Sequence, residues 1–317
     1  TLFRSDSLYL DKFYRECSYV NGAEIVGICA SSVSHLCKEI QGLKCVTSDI
    51  NELCDNVDAV FVISHPRFHY EHIKTALQKK KHVLCESPSA LKVDQSLELQ
   101  ELAEKNNCIF IDSVKTAFST AFSRLQTLIK SGVIGEVVSV DATCTSLHSF
   151  DLKTRDEIEN TWSSILAWGP TGLLPVFNIL GTDYKSKHII TKCLPGNPDF
   201  DIFTKIDFVY PSAVASVKVG KGIKSEGELV VSGTKGYVFV PAPWWKTDYF
   251  EVRYENPANN RRYFYQLEGE GIRYEIVSFV RNIKTKCISC SPNRELSKAI
   301  VYIIQDFFMK GNDVICL

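Results

Sequence analysis

The chain has 317 residues, 45% hydrophobic and 23% charged, which is the composition of a globular protein and excludes a disordered or collagen-like one. Lys and Arg number 36 and Asp and Glu 37, so the net charge of −1 gives no basis for a nucleic-acid or anionic-membrane partner. No apolar run reaches the ~18 residues needed to cross a bilayer, no charged-then-apolar leader opens the sequence, and at about 150 residues per domain the length predicts two domains.

From residue 7 to about 113, helical and strand patterns alternate. Ser7–Val20 places Leu8, Tyr9, Phe13 and Tyr14 near helical spacing. Ala23–Ala30 and Asp58–Ile63 are short continuous apolar strands, and a helix carrying Ile73, Ala76 and Leu77 follows the second. His82–Cys85, a helix from about Lys92 to Lys105, and Cys108–Ile111 complete the run. Strands apolar on both faces and separated by helices predict a parallel sheet covered on both sides, the doubly wound α/β architecture.

The pattern changes after about residue 117. Phe118, Phe122, Leu125 and Ile129 form an amphipathic helix ended by Gly132. Beyond Glu136, period-2 alternation through Asp201–Tyr210, Ala213–Val219, Glu228–Val231 and Tyr237–Val240 predicts a mainly antiparallel sheet with one buried face. Helices at about Trp162–Leu180, Gly271–Lys284 and Arg294–Lys310 are expected to cover it. The predicted fold is thus a Rossmann-type domain over residues 1–116 and an α+β domain over 117–317.

Twelve cysteines in a chain this long are too sparse for a disulfide scaffold, and most sit inside apolar runs. They read as reduced core thiols of a cytoplasmic protein. Cys287-Ile288-Ser289-Cys290 is a lone pair with only Cys316 nearby, so no metal site is expected.

Several strings resemble the glucose–fructose oxidoreductase and inositol dehydrogenase (Gfo/Idh/MocA) family. They are Asp58–Pro66, Phe68–His72, His82–Pro88, Ile129–Val137 and Gly269–Phe279, and the likeness runs along essentially the whole chain. It implies a Rossmann domain that binds NAD or NADP, a second domain that meets the nicotinamide and mediates homo-oligomers through its sheet, and a small sugar-like substrate oxidised or reduced by hydride transfer. It assigns the cofactor side to Ser64, Pro66, His69, Glu86 and Pro88. His72 reads as helix surface, and Asp112 as a helix N-cap.

The sequence departs from the family pattern at each chemical position. A glycine-rich loop should precede the helix at Ser7, yet the first glycine is Gly22, and Thr1–Ser5 is too short for a first strand. Strand and loop are therefore expected to be missing, with Arg4 or Ser5 left as the loop's tail. The acid that would hold the adenosine ribose is replaced in Cys29-Ala30-Ser31-Ser32, where Ser31 and Ser32 suit a 2′-phosphate and favour NADP over NAD. The family lysine is Ser87, and the second acid–base motif around Trp168-Gly169-Pro170 has Ala167 and Thr171 at its flanks. None of these three side chains serves as a general base near neutral pH without help.

Lys115, at a strand end, and His148 are the substitutes available for acid–base work, with Lys153 beside the latter. Trp244-Trp245, in a proline-braced turn, reads as an interface in preference to a sugar-stacking platform, with a packing plug equally open. Three functional readings follow: a catalytically degenerate family member, an active NADP-dependent oxidoreductase with its acid or base relocated to Lys115 or His148, and a non-enzymatic oligomerisation or interaction domain of a larger protein.

Overall fold

The structure is a computed structural model, and it describes residues 2–3, 7–30, 38–150, 154–286 and 294–317. The expected Arg4, Ser5, Ser31, Ser32, Lys153, Cys287 and Cys290 roles fall outside the described residues. Two units emerge, and their division is discontinuous in sequence. The first comprises Thr1–Phe118, Glu159–Thr161 and Glu268–Val301, and the second Ser119–Ile158, Trp162–Leu267 and Tyr302–Leu317. A single boundary at residue 116 does not describe it.

The first unit runs β1 (Leu2–Phe3), α1 (Ser7–Cys17), β2 (Gly27–Ala30), α2 (Lys38–Gln41), β3 (Cys45–Thr47), α3 (Ile50–Asp55), β4 (Ala59–Val62), α4 (Pro66–Gln78), β5 (His82–Glu86), α5 (Val93–Lys105) and β6 (Phe110–Ser113). All six strands are parallel in the order β3-β2-β1-β4-β5-β6. This is the dinucleotide-fold order, with its reversal between β1 and β4. The expectation of a missing first strand is corrected. Leu2 pairs with Cys29 and Val62, so a two-residue strand holds the central position, and its brevity hid it from pattern reading.

Successive residues of each strand serve opposite faces. Val60 and Val62 join Leu53, Ile73, Leu77, Val83 and Leu99 beneath α3, α4 and α5. Phe61 and Leu84 join Leu10, Phe13, Ile276 and Phe279 on the other side, where Phe13 and Phe61 stack with centroids 4.1 Å apart. The last two of these core residues belong to a helix from far along the chain, described below.

The second unit opens with α6 (Thr120–Lys130), followed by β7 (Val137–Thr145), α7 (Arg155–Asn160), α8 (Ser164–Leu180), β8 (Ser186–Leu194), β9 (Asn197–Val209), β10 (Val214–Gly220), β11 (Leu229–Gly233), β12 (Tyr237–Val240), β13 (Tyr249–Arg253) and β14 (Arg261–Phe264). The chain closes with α9 (Ile272–Thr285), α10 (Arg294–Met309) and β15 (Val314–Cys316). Nine strands form one sheet, mainly antiparallel, with parallel pairs only at β7–β10 and β8–β15. Gly132, at φ +77°, turns the chain out of α6 as its position in the sequence predicts.

Helix α8 lies on β10 through Gly172, where an added Cβ would stand 2.7 Å from Val217 Cγ1. Its amino end is held from a distance. Both carboxylate oxygens of buried Asp201 accept from Ile165 N at 3.0 Å, and Thr204 Oγ1 donates to Oδ2 at 2.7 Å. An orphan helix N–H is thereby satisfied. Among the described residues, no helix is long and apolar enough to cross a membrane, and the nine cysteines carry free thiols.

Helix α9 corrects a second expectation. It covers the six-stranded sheet beside α1 and leaves the nine-stranded one to α8. Its stripe of Ile272, Ile276, Phe279 and Ile283 meets α1, and Glu16 of α1 fixes the encounter. The Glu16 carboxylate accepts from Glu270 N and Arg273 N, both at 3.2 Å, and from Arg273 Nε at 2.9 Å and Nη2 at 3.2 Å. Burial raises the Glu16 pKa, but the Arg273 bonds outweigh it and the carboxyl titrates below its ordinary range.

Replacing Glu16 by Ala leaves Arg273 and two backbone donors unmatched and should cost about 2–4 kcal/mol in denaturant unfolding. Because the folded pKa is depressed, this contribution is present above the ordinary carboxylate range and fades as pH falls through the folded value. The gap between wild type and Glu16→Ala should therefore narrow on acidification.

Candidate functional site

In doubly wound sheets, ligands collect outside the carboxyl ends of the strands. At the end of β4, His65 caps α4 by accepting from Arg67 N at 3.3 Å, and Pro66 takes the first helical position, where its missing N–H costs nothing. His69, one turn into α4, is fully buried. Its Nδ1 lies 2.8 Å from Pro88 O and its Nε2 2.5 Å from Ser64 O, so the ring sits between the end of β4 and the segment after β5, where a neutral imidazole's one N–H donates to one of the two carbonyls. Burial lowers its pKa to about 4 against the pull of both carbonyls, and the imidazole is neutral at physiological pH. Ser64 Oγ stands 2.9 Å from Nδ1 of His72, so His72 is a partner in this turn and more than helix surface. The five positions assigned to the cofactor side, Ser64, Pro66, His69, Glu86 and Pro88, thus lie together at the carboxyl ends of β4 and β5.

Ser87 is buried just past β5, and among the described residues its hydroxyl has no hydrogen-bond partner. Close by, Asp112 accepts from Ser89 Oγ at 2.7 Å and Ser89 N at 3.3 Å. Asp112 is therefore no N-cap, as the sequence reading had it. It sits within β6, buried, where desolvation raises its pKa and the Ser89 bonds, with the Ser87 hydroxyl acting in the same sense, restrain the rise.

A second group of ionisable side chains occupies the same end of the sheet. Tyr9 of α1 donates to Glu86 Oε2 at 3.0 Å. Ser113, the last residue of β6, donates to Glu275 Oε2 from α9. Lys115, in the 3₁₀ turn after β6, places its Nζ 5.8 Å from the Tyr9 ring centroid, and its charge acts on both carboxylates. Burial is the main reason that both carboxyl pKa values rise. For Glu275 the Glu86 charge adds to burial, and the value reaches about 8. Tyr9 is pushed up by burial and then by Glu86.

Pattern reading found Lys115 and Glu86 but missed Tyr9 and Glu275. The signal existed for Glu275, a carboxylate sharing the helix stripe of Ile272, Ile276 and Phe279, a position where a charge is buried and needs partners.

In the second unit, Ala167 and Thr171 lie one turn apart and half-buried on α8. Trp168, between them, donates to Ser146 Oγ at 3.2 Å and packs on Trp245 with centroids 4.8 Å apart. Trp244 is buried against Phe122 and donates to Thr143 O at 3.1 Å. Of the readings open for this turn, the buried Trp244 ring takes that of a packing plug. His148 is exposed, with its backbone N–H bonded to Lys221 O at 2.7 Å.

A dinucleotide pyrophosphate needs glycines between the first strand and first helix so that backbone N–H groups can approach it. Here β1 ends at Phe3 and α1 begins at Ser7, and the connecting Arg4-Ser5-Asp6 contains no glycine and one carboxylate. These three residues lie outside the described ones. Ser87→Ala should leave unfolding free energy within about 1 kcal/mol of wild type, because it deletes an unpaired buried hydroxyl, whereas Asp112→Ala, which strands Ser89, should cost about 1–3 kcal/mol; denaturant titration compares them.

Residues 8–113 match the family described as "Oxidoreductase family, NAD-binding Rossmann fold" (GFO_IDH_MocA). D-glucoside 3-dehydrogenase of Escherichia coli is 32% identical over 121 residues, 37% of this chain and 34% of that protein. Myo-inositol 2-dehydrogenase of Thermotoga maritima is 32% identical over 101 residues, 31% of this chain and 30% of its own length. The matched segment thus spans about a third of the length of these curated relatives. A 3-ketoreductase from Actinomadura kijaniata, solved with NADP and TDP-benzene, shares the fold at a TM-score of 0.84 and 15% identity, covering 100% of this chain and 97% of the other. An aldose-aldose oxidoreductase from Caulobacter crescentus, solved with glycerol, does so at 0.78 and 14%, covering 94% and 92%. Residues 8–113 thus match the Gfo/Idh/MocA oxidoreductase family with its NAD-binding Rossmann fold, and the whole chain shares the fold of the solved oxidoreductases.

Proposed function

We propose that this chain keeps the NAD(P)-linked oxidoreductase framework of its family but not the family's acid–base chemistry, and that it acts as a catalytically degenerate member by binding a small sugar-like ligand or by assembly. The observation that carries this reading is Ser87. Where the family has a lysine, a hydroxyl is sealed from solvent, too short to reach a substrate and without an ionisable proton near neutral pH. Ala167 offers a methyl, and the Thr171 hydroxyl has no established base beside it. The Arg4–Asp6 connection, without glycine, supports the same reading. Relatives named for glucoside, inositol and keto-sugar chemistry point to a sugar or polyol as the ligand class, and Ser31-Ser32 favours NADP over NAD.

A second reading has one observation in its favour. Lys115 stands at the carboxyl end of the sheet between Glu86 and Glu275, the kind of setting in which a lysine exchanges protons with a substrate hydroxyl. His148 is the exposed alternative. On this reading, Lys115→Ala removes turnover.

Self-association is proposed through the open face of the nine-stranded sheet. There Arg253 lies 4.5 Å from the Phe239 ring, Arg262 lies 5.0 Å from Tyr249, and Glu251 is paired to both guanidinium groups. Aromatic and arginine side chains of this kind are enriched in interfaces. The free thiols are in keeping with a cytoplasmic setting.

Steady-state assays with NADP and NAD over a panel of sugars and polyols should show no turnover, while calorimetric titration of a sugar panel should find a ligand. NAD(P)-dependent turnover that Lys115→Ala abolishes overturns the degenerate reading in favour of the second. Native mass spectrometry should give a dimer or higher species, and a stable monomer at micromolar concentration defeats the assembly proposal.

A further inference from the structure

Glu275 is fully buried, and its two oxygens have different surroundings. Oε2 accepts from the Ser113 hydroxyl, while Oε1, shielded from solvent, has no hydrogen-bond partner among the described residues. The groups facing it come from four elements: Tyr9 from α1, Glu86 from β5, Ser113 from β6 and Lys115 from the turn after β6. The first two are an acid already bonded to an anion and that anion itself. Asp112, also on β6, adds its charge against Glu86. Among the described residues, two carboxyls, Glu275 fully buried and Glu86 half-buried, share the charge of half-buried Lys115. A second anion at the buried Glu275 position would be left undercompensated, which a buried site does not sustain.

We propose that Glu275 is a positioning residue of this cluster: it is held between α9 and β6 as a neutral acid, its proton on the unpartnered Oε1, so that of the two carboxyls Glu86 alone is an anion beside Tyr9 and Lys115. The neutral carboxyl secures the Ser113 hydroxyl at the end of β6 without adding charge beside Glu86, and the Glu86–Lys115 pair is then balanced. The raised titration of Glu275, to about 8 from burial and the Glu86 charge, accords with this arrangement. The inference concerns proton placement and does not depend on whether the protein turns over a sugar.

The sign of the pH effect follows from linkage. A carboxyl whose folded pKa lies above its unfolded value contributes stability that is complete below the unfolded value and is lost as pH rises to the folded one. Glu275→Gln mimics the neutral acid and removes this loss. Its folding constant relative to wild type should rise by up to about tenfold per pH unit between roughly pH 5 and 8, and level off above that. Infrared spectra at pH 7 should show one carboxylic-acid C=O stretch fewer in Glu275→Gln than in wild type. Glu86→Gln, which removes the neighbouring anion, should move that band's titration midpoint downward. Equal pH slopes for wild type and Glu275→Gln, or no loss of carboxylic-acid signal in Glu275→Gln, overturns the proposal. If Glu275→Gln does not fold, the wild-type band and its shift in Glu86→Gln decide alone: a band that persists unshifted overturns the proposal, and a downward shift supports it.

Discussion

Burial of ionisable side chains at the carboxyl ends of β5 and β6 is the constraint from which much of the first unit follows. A carboxylate taken from water without a partner is costly, so its neighbours must supply donors, a counter-charge or a proton. Tyr9 supplies a donor to Glu86, Ser89 supplies two to Asp112, and Ser113 supplies one to Glu275. Each donor arrives on a different element. The polar end of the sheet therefore fixes where α1, the segment after β5 and α9 lie, much as the apolar clusters fix their depth. Glu16 and Arg273 repeat this logic at the other contact between α1 and α9, with a charged pair where the cluster uses a neutral acid.

The alternation of apolar strands and helices to residue 113 was legible because both faces of a parallel sheet are buried, and long helices such as α5 and α8 announced themselves by period and length. The two-residue β1 was not legible, since two residues carry no period. Nor was the destination of α9. Its Ile272, Ile276 and Phe279 stripe declares that a face is buried but not against which sheet, and only the long-range Glu16–Arg273 contact settles the matter. At the site, Glu86, Ser87 and Lys115 could be found because local strings or strand ends mark them. Asp112 was misread because an acid after an apolar run looks the same as an N-cap until its partner, Ser89 on another strand's loop, is known. Trp244 stayed open between plug and interface for a similar reason: aromatic turn residues look alike whether they cover a core or a partner.

His69 shows how a residue in a cofactor-side string can be structural. Both ring nitrogens face backbone carbonyls, and its lowered pKa keeps it uncharged, so it neither donates a charge to a phosphate nor exchanges protons near neutral pH. What it does is fill the space between the end of β4 and the segment after β5, with its one N–H given to one of the two carbonyls.

The substitution at residue 87 also has an electrostatic consequence that reaches beyond a missing base. Glu86, Asp112 and Glu275 are three carboxyls at one end of the sheet, and all three titrate above their ordinary range, burial being the first cause in each. A lysine at residue 87 would add a second cation beside Glu86 and Asp112 and lower both. With serine there, Lys115 is the cation whose field acts on Glu86 and Glu275, and Asp112 relies on Ser89 and the Ser87 hydroxyl. The charge deficit is met by protons, which is why a neutral Glu275 and the loss of the lysine belong to the same arrangement. Ser87 and Glu275, both buried, thus stand at the same end of the sheet, where the Glu275 proton takes the place of a second counter-charge.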